Sequence, residues 1–88
     1  MTGTSLTIYV DRLCPYSNAL QADLKRAHVH PELRVVDRDE DAAIEMYKLT
    51  KTNVTPVIRI VTEETDHVMI GYTDAHKKKI EELLKVKL

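Results

Sequence analysis

The chain has 88 residues, 43% of them hydrophobic and 31% charged, and a formal net charge of −1 at pH 7. This length and mixture suit one small domain with one core and exclude a disordered chain. The charge balance leaves no basic excess for nucleic acid or an anionic membrane, no apolar run reaches the ~18 residues of a membrane span, and one cysteine cannot crosslink its own chain, which excludes a secreted disulfide scaffold.

Met1 to Ser5 lack a charged-then-apolar signal pattern, so residues 1–88 are expected to form a single cytoplasmic domain. Leu6-Thr7-Ile8-Tyr9-Val10 is β-branched and aromatic, and Asp11-Arg12 stops it, which predicts a buried strand. Pro15 suits the first turn of a helix, where its missing N–H is no loss. Ala19, Leu20, Leu24 and Ala27 continue at helical spacing, and Lys25, Arg26 and His28 gather where positive charge suits the helix dipole. Pro31 ends this segment.

Leu33 to Asp37 reads as a second strand. The acidic run Asp39-Glu40-Asp41 opens a second helix carrying Ile44, Met46, Tyr47 and Leu49, with Tyr47 expected in the core alongside Tyr9. After a turn at Thr52-Asn53, Pro56 begins a third strand that runs to Val61, at a position where proline is tolerated. Thr62 to Asp66 form a polar turn into a fourth strand, His67 to Ile70. Past Gly71-Tyr72, Thr73 caps a last helix with Ile80, Leu83 and Leu84 on one face. The Lys77-Lys78-Lys79 run there has Glu81 and Glu82 at i+4 from its first two members, which predicts a solvated, ion-paired face.

The order β-α-β-α-β-β-α predicts an α/β fold: a four-stranded mixed sheet flanked by three helices. Its first two strands should be parallel and its last two an antiparallel hairpin.

Cys14 falls where the first strand gives way to the first helix. Unpaired N–H groups and the positive dipole end favour thiolate there. The dipole's ~0.3–2 kcal/mol lowers a thiol by at most about 1.5 pH units. Strong activation therefore needs direct N–H···S hydrogen bonds and a nearby cation, for which Arg12 is the local candidate. A lone cysteine is commonly core filler, but Arg12, Pro15 and Tyr16 make this a poor core position. Ser17 stands where a Cys-x-x-Cys pair would place its second sulfur; its hydroxyl donates a hydrogen bond but forms no disulfide. In Val54-Thr55-Pro56-Val57 the X-Pro bond is either cis or trans. A cis bond would turn the Thr55 backbone toward the thiolate, able to pair with a cysteine-containing peptide. At Gly71-Tyr72-Thr73-Asp74 the N–H groups suit a carboxylate and Asp74 an amine, with simple helix capping as the alternative. His28, His30, His67 and His76 lack paired metal-ligand spacing, and no metal site is expected.

Taken in order, strand–CPYS–helix, then TP opening a strand, then GYTD opening the last helix, the chain resembles a glutaredoxin over Leu6 to Val86, and with it the small thioredoxin-like fold. The resemblance implies a glutathione-dependent thiol–disulfide oxidoreductase with Cys14 as nucleophile, Ser17 beside it, and Pro15 and Tyr16 as motif neighbours. It implies that Thr55 and Pro56 occupy the family's Val–cis-Pro position. Gly71, Tyr72, Thr73 and Asp74 then belong to the glutathione site, Thr73 and Asp74 at residues that bind its γ-glutamyl end, and Arg12 lies near its glycine carboxylate. The implied partners of this monomer are glutathione as co-substrate and glutathionylated or disulfide-bonded proteins.

The family's usual CPYC is CPYS here, which restricts the chain to one-thiol chemistry; Ser17 fits either a natural monothiol site or a cysteine-to-serine change that traps a mixed disulfide. Thr55 replaces the common Val, and Tyr72 a second Gly. Gly-aromatic at that junction is similar to the glutaredoxin-like electron donors of ribonucleotide reductase, which thioredoxin reductase serves. Monothiol relatives that carry a glutathione-ligated iron–sulfur cluster usually have Cys-Gly-Phe-Ser, and Pro15 argues against that role.

Overall fold

The computed structural model describes residues 3–88. Strand β1 (Ser5–Val10) leads into helix α1 (Pro15–Arg26), strand β2 (Glu32–Val35), helix α2 (Glu40–Thr50), strands β3 (Val57–Val61) and β4 (Asp66–Ile70), and helix α3 (Asp74–Leu84). The sheet order is β2-β1-β3-β4, with β1 parallel to β2, antiparallel to β3, and β3 antiparallel to β4. The chain therefore has the expected mixed four-stranded sheet and thioredoxin-like element order.

Strand alternation distributes the core over both sheet faces. Ile8 aligns with Ile58 on one side, and Ile58 with Met69, so one apolar row crosses three strands. That row packs with Val10, Ile60, Leu20 and Leu24 of α1 and Ile80 of α3. Tyr9 and Val57, one residue out of phase, point to the opposite face and pack against Met46 of α2.

Each helix begins where local chemistry allows it. Pro15 occupies the first turn of α1. Asp39 accepts from the N–H groups of Asp41 and Ala42 at the start of α2, and Thr73 Oγ accepts from His76 N–H at the start of α3. The last turn of α1 carries Lys25 and Arg26, as the dipole favours.

The second strand stops at Val35, not Asp37. Val36 still donates to Val10 O, but Arg38 and Asp39 both donate to Val35 O, and these bonds close a turn. Tyr47, expected in the core, is 51% exposed, as is much of Ile44. A single helix covers this part of the sheet, and Ala42 and Met46 are its buried residues, leaving the side that carries Tyr47 unpacked. The lysines of α3 pair differently from the expected i+4 scheme: Lys77 reaches Asp23 of α1, and Lys79 reaches Glu82.

Candidate active site

Strand β1 ends in the middle of the sheet and delivers Cys14 to its carboxyl edge, between the loop that follows β2 and the loops that flank β3 and β4. Cys14 is the N-cap of α1, with extended backbone angles, and its carbonyl accepts the first helical bond from Asn18 at 3.0 Å. The thiol is half-buried and free.

Asp11 shapes the approach to the sulfur through three hydrogen bonds. Its carbonyl accepts from Cys14 N–H at 3.1 Å, and its carboxylate accepts from Leu13 N–H at 2.8 Å. Its own N–H donates to Ser17 Oγ at 3.3 Å. Asn18 Nδ2 adds a bond to Arg12 O at 3.2 Å. Leu13, 89% exposed, is thereby held out into solvent next to the sulfur.

Ser17 is fully buried and is the one buried polar side chain among the described residues. With Asp11 N–H on its oxygen, its proton is left for the sulfur. Burial pushes the Cys14 thiol up, but hydrogen bonds from the Ser17 hydroxyl, the Thr55 side chain and the N–H groups of Ser17 and Tyr16 outweigh it, and the thiol lies below its ordinary range. The Thr55 carbonyl, 3.5 Å from Sγ, accepts only from the neutral thiol and so opposes ionisation. It is the hydroxyls and N–H groups that favour thiolate.

The cation expected to help is directed elsewhere. Arg12 Nε donates to Asp37 Oδ2 at 2.7 Å and Arg12 N–H to Asp37 Oδ1 at 3.2 Å. Arg12 is not among the largest influences on the Cys14 thiol. Its charge is paired with Asp37 in contact with solvent.

On the other flank of Cys14, a cavity of ≈ 470 Å³ is lined by Tyr16, Val54, Thr55, Gly71, Tyr72, Thr73 and Asp74. The Thr55–Pro56 peptide bond is cis, and Pro56 is buried beneath the site. Gly71 N–H donates to Pro56 O at 2.7 Å, joining the two loops, and His76 Nδ1 lies 2.7 Å from Gly71 O. Gly71 has φ +90°, a conformation costly for residues with a Cβ. Tyr72 lines the cavity but turns its hydroxyl inward to Asp23 Oδ2 at 2.6 Å, and its ring packs against the core.

Cys14, Ser17, Tyr16 and Thr55 thus converge on the sulfur, and Gly71 to Asp74 form the adjoining cavity. Arg12 stands on the opposite flank, with Asp37. Sequence reasoning passed over Asp11, Asn18, Asp23 and Asp37. Asp11 was readable only as a strand stop, although an Asp ahead of a helix start is a known turn former; Asp23 and Asp37 carried no local signal. Among the described residues no group of three or more His, Cys, Asp or Glu side chains is placed to hold a metal, and no helix is long and apolar enough to cross a membrane.

A glutaredoxin family model matches residues 6–64, more than half of the chain. Among solved structures, the glutaredoxin (grx-1) from Archaeoglobus fulgidus is similar with a TM-score of 0.66 at 20% sequence identity, over 94% of this chain and 88% of that one. At that identity the likeness concerns the fold. No curated protein sequence matches the chain.

Proposed function

The chain belongs to the glutaredoxin family of thiol–disulfide oxidoreductases, and from that premise we propose that it reduces protein–glutathione mixed disulfides through Cys14 alone, with glutathione as the electron donor. One observation carries this reading. A half-buried thiol at a helix N-cap, held below its ordinary range chiefly by the Ser17 hydroxyl, has a cavity open on one flank and a guanidinium on the other.

In the first step the Cys14 thiolate attacks the glutathionyl sulfur of the mixed disulfide. The Cys14–glutathione S–S bond forms, the original S–S bond breaks, and its electron pair leaves with the protein thiolate, which takes a proton from water. In the second step a glutathione thiolate attacks the glutathionyl sulfur on Cys14. Glutathione disulfide departs and the Cys14 thiolate is regenerated, so one glutathione sulfur is oxidised to the disulfide level as the protein sulfur is reduced to a thiol. Both steps are thiolate attacks on a disulfide, and their rates follow leaving-group acidity and access. No resolving sulfur is required, which fits Ser17.

In this reading the two ends of the tripeptide lie on opposite flanks of Cys14. The α3 N-terminus, with Thr73 and Asp74, receives the γ-glutamyl carboxylate and amine, and Arg12 receives the glycine carboxylate. Thr55 offers backbone groups to the cysteinyl residue between them. Exposed Leu13, Tyr16 and Val54 provide an apolar rim for the protein half of the substrate.

Mass spectrometry after treatment with glutathione disulfide tests this. An adduct of about 305 Da on Cys14 is expected, the mass of one glutathionyl group less hydrogen, together with turnover in a glutathione-coupled assay. A thiol that alkylates readily but takes no glutathionyl group would overturn the glutathione reading; reduction by thioredoxin reductase instead would place the chain with the ribonucleotide reductase donors.

A further inference from the structure

Arg12 and Asp37 are 25 residues apart in the chain and meet because β1 and β2 are parallel neighbours whose following loops lie side by side. One carboxylate holds Arg12 twice, with Oδ1 on the main-chain N–H and Oδ2 on Nε. Both bonds act on the same residue, so they fix the loop backbone and the direction of the side chain together. Asp37 is itself seated by the turn that ends β2, in which Arg38 and Asp39 donate to Val35 O.

The guanidinium is held by its inner edge. Among the described residues, Nη1 and Nη2 of Arg12 make no hydrogen bond, Asp37 is the side chain's one ion-pair partner, and the side chain is 57% exposed. Arg carries five donors in a planar fork, and the Nη edge is one that takes a carboxylate through two parallel bonds. Both Asp37 oxygens face Arg12, so an arriving anion meets the fork ahead of the carboxylate behind it. Left to itself, a surface arginine would sample many rotamers, and binding would carry the entropic cost of ordering it.

We propose that Asp37 is a positioning residue for the exchange reaction: it presents the free Nη edge of Arg12 to the glycine carboxylate of glutathione. This rests on the function proposed above. Asp37 touches no reacting atom and acts only through Arg12.

The test compares glutathione with glutathione monoethyl ester, whose glycine carboxylate is blocked, as reductants of a glutathionylated protein. In the unaltered protein, glutathione should have the lower KM. Asp37→Asn should raise KM for glutathione about two- to fivefold, the size of an exposed ion-pair effect, with kcat at saturating glutathione and the KM for the ester unchanged. In an Arg12→Gln background, Asp37→Asn should be silent, since a residue that acts through Arg12 has nothing left to position. If Asp37→Asn does not fold, Asp37→Ser keeps an oxygen for the Arg12 N–H while releasing Nε, and carries the same expectation.

A KM for glutathione that is unchanged or lowered by Asp37→Asn overturns the inference, the lowered value meaning that Asp37 shields Arg12. An equal effect of Asp37→Asn with and without Arg12 also overturns it. An unaltered protein that does not distinguish glutathione from its ester would instead overturn the assignment of Arg12 in the proposed function.

Discussion

The Tyr72 hydroxyl donates to the Asp23 carboxylate at 2.6 Å, tying the residue between Gly71 and Thr73 to the middle of α1. Asp23 also pairs with Arg26 and, at 3.7 Å, with Lys77 of α3, so one carboxylate joins two helices and the wall of the cavity. Burial raises the phenol's pKa, and the bond to Asp23 and that residue's charge raise it further. Tyr72→Phe is expected to cost about 1.5–3 kcal/mol, the range for a hydrogen bond to a charged group. Thermal unfolding should register it as a lower Tm, and ultraviolet titration as loss of the tyrosine that ionises at the highest pH.

Asp23 gives this network a pH dependence. Burial raises the Asp23 carboxyl's pKa, but the Tyr72 and Arg26 hydrogen bonds and the Lys77 and Arg26 charges lower it more, for a net fall below the ordinary value. The folded state therefore binds this proton more weakly than the unfolded state. The stabilisation is complete above the unfolded value of about 3.9 and is lost as pH falls through the lower folded value. Urea unfolding should show Asp23→Asn less stable than the unaltered protein at pH 7, with the gap narrowing at the most acid pH that still permits folding. A gap that stays constant with pH would contradict this.

Ser17 should govern the reactivity of Cys14. Removing its hydroxyl with Ser17→Ala takes away a donor to the thiolate and leaves Asp11 N–H without its acceptor. The thiol pKa is expected to rise, because the thiolate loses a hydrogen-bond donor that the neutral thiol does not need. Thiolate absorbance near the ultraviolet edge, or the pH profile of alkylation, reads this directly. The rate falls as pH drops through the thiol pKa, and in the variant that fall should begin at higher pH.

Gly71 separates backbone cost from crowding. A Cβ built there meets nothing within 4 Å, so Gly71→Ala brings no clash, only the cost of φ +90°. A loss of about 1 kcal/mol or more is expected in denaturant unfolding, with an unchanged m-value. Glutathione binding should weaken as well, because Gly71 N–H anchors the cavity wall to Pro56 O.

Much of this protein is legible residue by residue. β-Branched runs mark β1 and β3, Pro15 marks the start of α1, and Asp39 and Thr73 cap α2 and α3 within a residue or two of where a reader would place them. These signals act between neighbours along the chain: a side chain three residues away satisfies a helix N–H, and alternation decides which face a residue takes. The nucleophile was legible for the same reason, since its helix-start position is a local property. Tyr47 was misjudged because periodicity identifies a helix but not how much of it a neighbour covers.

The sequence by itself therefore determined the elements, their order and the place of Cys14 at a helix start. Tertiary structure decided which side chains meet there: Ser17 buried beneath the sulfur, Arg12 turned to Asp37, and Tyr72 drawn inward by a carboxylate 49 residues away. The physical reason is that capping and alternation are settled within a few residues of chain. The pairing of distant polar groups is settled only once the sheet order has brought particular loops side by side and their side chains within reach of one another.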